Sequence, residues 1–407
     1  MLSRLKKFLK SFGPAFILAS AVLGPGSIAV ASRIGSMHGY TLLWIVVVAT
    51  ICMATFASMS TRFGIMHENS ILKTIADTYG RWFSVLIGIS AFLSAASFQF
   101  GNNLGIATGM QALTGINSTV WPLIFTPLAM TMIFWAKNIY KILEKLMMAM
   151  VMIMIFAFIS NLVFIKPNVF LLLKGFIPGA FSTNQFDDIV ALVATTFALV
   201  GCVYQAYLVQ NKGWKMSDLK TGTRDTIMGI TVLGLISALI IITAAAALHP
   251  KGITVATAGD MALQLEALFG KYSKYIFSIG LAAAAFSSLI VNAVIGGGLL
   301  SDGLGFGRSM QERMPRIFSG LILLLGMIIA IFFRGNIVYA LVLASASSLF
   351  AIPSVAIGLL LVANNKNIMK HLCNNWWQNV IAGFGFLLTI AMVVYMYSRL
   401  ILFIGQL

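Results

Sequence analysis

Eleven apolar stretches, each long enough to cross a lipid bilayer, alternate with short polar connections, at roughly 12–37, 40–61, 82–113, 119–136, 145–165, 187–210, 226–248, 272–301, 316–333, 337–363 and 376–405. In hydrocarbon every backbone N–H and C=O must be satisfied within the segment, so stretches of this kind fold as helices. The chain is therefore an all-α polytopic membrane protein. Its 9% charged residues agree, since a soluble domain carries about 25%. The net charge of +16 does not point to nucleic acid, because Lys and Arg are scattered in ones and small groups between apolar stretches. Cys52, Cys202 and Cys373 lie in or at the edge of spans with no CxxC pair, which reads as packing rather than metal or disulfide chemistry. Lys6, Lys7 and Lys10 precede the first apolar run as in a signal peptide, but that run is too long and too many spans follow it.

The basic residues sort by loop. Arg4, Lys6, Lys7 and Lys10 come before span 1, Arg62, Lys73 and Arg81 follow span 2, and Lys137, Lys141 and Lys145 follow span 4. Lys212, Lys215, Lys220 and Arg224 follow span 6, Arg308, Arg313 and Arg316 follow span 8, and Lys366 and Lys370 follow span 10. The alternate loops are poorer; in 249–271, Lys251 and Lys271 are diluted by Asp260 and Glu266. The positive-inside rule places the N-terminus in the cytoplasm and the C-terminus outside, in an integral plasma (inner) membrane.

Span 1 is interrupted at mid-depth by Gly24-Pro25-Gly26. Gly and Pro are the poorest helix formers, and the backbone groups they free must find partners in protein, water or ligand. A second interruption is expected in span 6, at Gly201-Cys202-Val203-Tyr204-Gln205-Ala206-Tyr207. Two broken spans five apart mark an inverted repeat with a substrate site between them. The division expected is 1–165 (spans 1–5), 166–363 (spans 6–10) and 364–407 (span 11), with Gly24, Pro25, Gly26 and Gly201 as hinges.

Gly24-Pro25-Gly26-Ser27-Ile28-Ala29, followed by His38-Gly39-Tyr40-Thr41-Leu42-Leu43-Trp44, resembles the Asp-Pro-Gly-Asn-Ile-Ala and Tyr-Gly-Tyr-x-Leu-Leu-Trp stretches of the Nramp (natural resistance-associated macrophage protein) family of divalent-metal transporters. Ile279–Ser288 looks like that family's eighth span and Phe350-Ala351-Ile352-Pro353 like its tenth. The resemblance implies a LeuT-type fold of 5+5 transmembrane helices plus an eleventh. It also implies a degenerate metal site. The family's span-1 Asp and Asn fall on Gly24 and Ser27, the Met-Pro-His of its span 6 on Tyr204-Gln205-Ala206, and its span-3 acids on Gln99 and Asn102.

The acids and histidines of this chain all lie in predicted loops or at span ends. A stripped divalent cation at the membrane centre needs charged oxygen ligands, or sulfur and imidazole, and burying one without them is prohibitive. The expected substrate-binding residues are Gly24, Ser27, Gln99, Asn102, Asn103, Cys202, Tyr204, Gln205, Tyr207 and Asn292. Ser287, Ser288, Ser345, Ser347 and Ser348 face them as further candidates. Amides, hydroxyls and tyrosine rings suit a polar organic solute; a hydrated Mn²⁺ or Mg²⁺ is the alternative cargo, and a non-transporting receptor the third reading. Arg33, on the outward half of span 1, either pairs with an acid or snorkels to headgroups, or else attracts an anion in the outer vestibule. No nucleophile–base pair or cofactor motif appears and the loops are short, so neither enzyme activity nor a cofactor is expected.

Overall fold

The computed structural model of the chain describes residues 18, 22–135, 152–179, 185–333, 340, 341, 344, 348 and 352–404. Span 1 contributes the helix Pro25–His38, and span 2 is Leu43–Met66. Span 3 is Arg81–Thr114, span 4 Val120–Phe134, and span 5 is described over Met152–Ile165. Span 6 consists of two helices, 6a (Phe186–Thr196) and 6b (Leu199–Lys212). Spans 7, 8 and 9 are Leu219–Ala247, Ser273–Leu304 and Arg313–Phe332. The described part of span 10 is Ile352–Asn364, bent by 59° into Lys366–Leu372, and span 11 is Trp376–Ile404. No strand occurs among the described residues.

The helices pack in two groups. Spans 3 and 8 run side by side, with span 9 against both and span 4 on spans 3 and 9. Their seam is made of small residues, Ala91 and Ala95 facing Gly296, and Gly109 facing Ser278 and Ala282. Small residues let membrane helices approach until dispersion replaces the hydrophobic drive that lipid cannot supply. In the second group the span-1 helix lies on span 7, 6b and span 7 lie on span 2, and span 11 lies on span 2. The groups meet where span 1 breaks. A Cβ at Gly105 of span 3 would stand 2.3 Å from the Pro25 Cβ, so only glycine lets the proline seat there.

The loops separate into two ends. At one, Gln210 Nε2 donates to the carbonyls of His67 and Asn69, and Arg308 donates to the Gln210 amide oxygen and to the Glu68 carbonyl. Loops 2–3 and 8–9 therefore converge there, as the charge pattern requires. Arg62 belongs to the same end but not to a loop. It is buried in the last turns of span 2, donating to the carbonyls of Leu372 and Cys373 and to Asn374 Oδ1. At the opposite end Asp188 meets Arg33 and His38, and His249 bonds the Ser36 carbonyl.

Candidate functional site

The break in span 1 restarts a helix at the residues the sequence marks. Gly24 is extended (φ −93°, ψ 179°) and Pro25 takes the first helical position, where its missing N–H costs nothing. The carbonyl of Val22, left without a helical partner, accepts from Gly24 N at 2.8 Å and from Ser27 Oγ at 2.8 Å. The Ser27 proton is thus committed to the backbone, which leaves the hydroxyl oxygen as an acceptor.

The break in span 6 lies upstream of the expected position. Residues 201–207 are helical throughout, and the interruption is at Phe197 and Ala198 (ψ 64° and 80°). Gly201 is not a hinge: it is the third residue of 6b, and a Cβ there would meet Leu18 Cδ1 at 2.6 Å, so its role is close approach. Leu199 holds the position in 6b that Pro25 holds in span 1.

A cavity lies between the two breaks and the group of spans 3 and 8. Span 1 lines it with Val22, Gly24, Gly26 and Ser27, span 6 with Ala194 and Ala198–Gly201, and span 3 with Ser94, Phe98, Gly101 and Asn102. Ser288, Asn292 and Ile295 of span 8 and Ser348 and Ile352 of span 10 complete it. The space open to the centre of a water molecule is ≈ 40 Å³, enough to hold ordered water.

The polar residues divide by what they bond. Gln99 is fully buried, donating to the Leu289 carbonyl of span 8 and accepting from Asn102 Nδ2 at 2.8 Å. Asn103 donates to the Gln99 carbonyl and accepts from Thr126 Oγ1 of span 4. Gln99 and Asn103 therefore tie helices together and do not line the cavity. Asn102 does line it, with Oδ1 turned to Gly24: a Cβ on Gly24 would stand 3.2 Å from that oxygen and 2.9 Å from Ser288 Oγ. Asn292 Nδ2 donates to Ser288 Oγ at 2.9 Å. The space beside Gly24 is thus filled by the oxygens of Asn102 and Ser288.

The other span-6 candidates face elsewhere. Cys202 Sγ donates to the Met53 carbonyl of span 2, and Gln205 Nε2 to the hydroxyls of Thr61 and Thr226. Tyr204 and Tyr207 stack at 5.5 Å and line a separate pocket of ≈ 490 Å³ with Gln210 and Arg308. Ser287 lies outside the cavity lining, and Ser345 and Ser347 lie outside the described residues. Arg33 is paired: its Nε donates to Asp188 Oδ1 at 2.9 Å, while His38 Nε2 bonds Oδ2 at 2.9 Å. Asp188, although near a span end, is 3% exposed, and its burial joins the span-1 helix to 6a.

Among the described residues no cluster of three or more His, Cys, Asp or Glu could hold a metal ion. The cavity offers neutral hard oxygens and freed backbone groups. Such a set replaces hydration bonds without supplying counter-charge.

Comparison with known proteins places this geometry. Over most of its length the chain resembles "Divalent metal cation transporter MntH" of Pectobacterium carotovorum subsp. carotovorum (strain PC1), 27% identical across 95% of this chain and 94% of the relative. It is 26% identical to the protein of the same name from Bacillus subtilis (strain 168), across 95% and 92%. The Eremococcus coleocola manganese transporter, solved with an aromatic bis-isothiourea substituted compound, superposes with TM-score 0.81 at 16% identity over 98% of this chain and 88% of that one. Mhp1, a nucleobase-cation-symport-1 family transporter in a closed conformation with bromovinylhydantoin bound, superposes with TM-score 0.59 at 14% identity over 96% and 93%. These likenesses give the fold, a LeuT-type arrangement with spans 1 and 6 discontinuous. The model of natural resistance-associated macrophage protein-like proteins matches residues 15–399, and the chain belongs to that family of multi-pass membrane transporters.

Proposed function

We propose that this transporter carries a divalent cation of the Mn²⁺ or Mg²⁺ class, bound by neutral oxygens while it keeps part of its water shell. The observation that carries the reading is the ≈ 40 Å³ cavity at the two breaks, bordered by Ser27, Asn102, Ser288 and Asn292. A small cavity with room for water suits an octahedral ion that keeps part of its shell and completes it with protein oxygens, as Mg²⁺, slow to dehydrate, commonly does. A bare ion would not be held, because no carboxylate stands at Gly24. The relatives named as divalent metal cation transporters support the same cargo class.

Transport on this reading is alternating access, the group of spans 1, 2, 6 and 7 rocking against that of spans 3, 4, 8 and 9 around the breaks. The halves 1–165 and 166–363 are the inverted repeats. The Arg308 end faces the cytoplasm and the Arg33 end the outside, in a plasma (inner) membrane with the N-terminus in and the C-terminus out. A polar organic solute is the second reading, favoured by a cavity lined with hydroxyls and amides and by the hydantoin bound in Mhp1.

Proteoliposome uptake separates the two. The expected result is Mn²⁺ or Mg²⁺ flux that Asn102→Ala lowers at least fivefold. Flux of a neutral solute from a screen, with no binding of either cation by calorimetry at millimolar concentration, would refute the cation reading.

A further inference from the structure

The two helix groups are joined at the proposed cytoplasmic end by a buried contact. Tyr207 of 6b donates its phenol proton to Asp302 Oδ2 of span 8 at 2.5 Å, and the two residues are 5% and 7% exposed. Tyr207 lies nine residues beyond Ala198, roughly 14 Å along 6b, and Asp302 ten residues beyond Asn292, roughly 15 Å along span 8. The bond therefore crosses the interface at one depth below the cavity. One turn further on, Gln210 and Arg308 link the same two groups in a second layer. Tyr204 stacks on Tyr207, and both rings form a wall of the ≈ 490 Å³ pocket at this end.

We propose that the Tyr207–Asp302 bond is the inner latch of the transport cycle, holding 6b against span 8 so that the cavity is shut from the cytoplasm, with the Tyr204–Tyr207 pocket as the exit vestibule once the bond breaks. A carboxylate buried at a helix interface needs its donor; when 6b swings away, water from the vestibule replaces the phenol. The contrast with the opposite end is internal to the fold. Arg33–Asp188 joins span 1 to 6a within one group and moves with it, whereas Tyr207–Asp302 spans two groups and must break. The inference rests on the alternating-access reading but not on the identity of the cargo.

Its test is therefore made without cargo. Ala198→Cys, in the full chain with Cys52, Cys202 and Cys373 replaced, puts a thiol at the cavity, and a membrane-impermeant thiol reagent is applied to everted and to right-side-out vesicles. Tyr207→Phe, which keeps the stacked ring, and Asp302→Asn, which keeps the carboxylate's shape, are each expected to raise the everted labelling rate at least fivefold and to lower the rate from outside. Unchanged rates in both variants, with the protein still monodisperse, would overturn the latch; so would an equal rise on both faces, the mark of general loosening. Raised cytoplasmic labelling together with absent Mn²⁺ and Mg²⁺ flux would leave the latch standing and remove the cation.

Discussion

Restoring an acid at Gly24 tests whether the cargo stands beside it. In Gly24→Asp the new Cβ would meet Ser288 Oγ at 2.9 Å and Asn102 Oδ1 at 3.2 Å, both closer than real Cβ contacts ordinarily come. Overpacking of this kind costs about 1–3 kcal/mol, so the single variant should be less stable than the parent and bind little better. Adding Ser288→Ala removes the worse contact and leaves Asn102 Oδ1 at 3.2 Å and the Cβ of residue 288 at 3.4 Å. A carboxylate about 4 Å from a divalent ion attracts it by roughly 8 kcal/mol at an effective dielectric of 20. Desolvation of the acid takes back several kcal/mol, and the lost Ser288 hydroxyl about 1 kcal/mol more. A surplus of roughly 2 kcal/mol remains, and at about 1.4 kcal/mol per tenfold it tightens Mn²⁺ binding some thirtyfold. Calorimetric titration of the purified double variant with Mn²⁺ reads this directly. If the double variant is folded and binds Mn²⁺ no more tightly than the parent, the ion does not visit the span-1 break and the placement of the cargo is wrong.

Gln99→Leu should lower the unfolding temperature and keep part of the uptake, since it removes the bond to Leu289 and the one that holds the cavity residue Asn102. Two interhelical or helix-internal bonds in a membrane are together worth about 1–3 kcal/mol. Lost uptake at an unchanged unfolding temperature would instead make Gln99 a cargo ligand. Asp188→Asn should destabilise by about 2 kcal/mol, below the 3–5 kcal/mol of a fully buried pair because the Arg33 side chain is 25% exposed. In thermal unfolding the double variant Arg33→Gln/Asp188→Asn should recover part of that loss, and strict additivity would show that the two residues are not coupled.

The spans were legible because bilayer thickness dictates the length of an apolar run, and the first break because Gly24 and Pro25 are poor helix formers. The second break carried no such mark. Phe197 and Ala198 are ordinary helix residues that leave the helix here in a tight turn, Leu199 N bonding the Phe197 carbonyl at 3.1 Å, while Gly201, which looked like a breaker, makes room for Leu18. Asn102 and Asn103 could not be told apart along the chain. One helical step turns the first to the cavity and the second to Thr126 of span 4, and only the neighbours decide which is which. Asp188 and Asp302 were visible as acids at span ends, but the burial and cross-helix partners that give them roles come from how the helices pack. Gln264, in a loop read only for its charge, is fully buried and donates to Ser32 Oγ of span 1.

The distribution of charge follows from the same packing. The buried carboxylates Asp188 and Asp302 sit toward opposite ends of the molecule, each bonded across two helices, and the cavity between them is lined by neutral groups. An ionised acid at the breaks would hold a divalent ion through its own field and would have to release it against that field in each cycle. With Gly24 there, the site gives up that attraction and its cost of release together. On the proposed cation reading, binding then depends on how well Ser27, Asn102, Ser288 and Asn292 replace the waters that are shed, and this is sensitive to the size and shape of the hydrated ion more than to its charge. On this reading discrimination between Mg²⁺ and Mn²⁺ is weak, because both present similar octahedral shells. Ca²⁺, which takes six to eight oxygens at about 2.3–2.6 Å, asks on this reading for more ligands than the few neutral groups at the cavity offer.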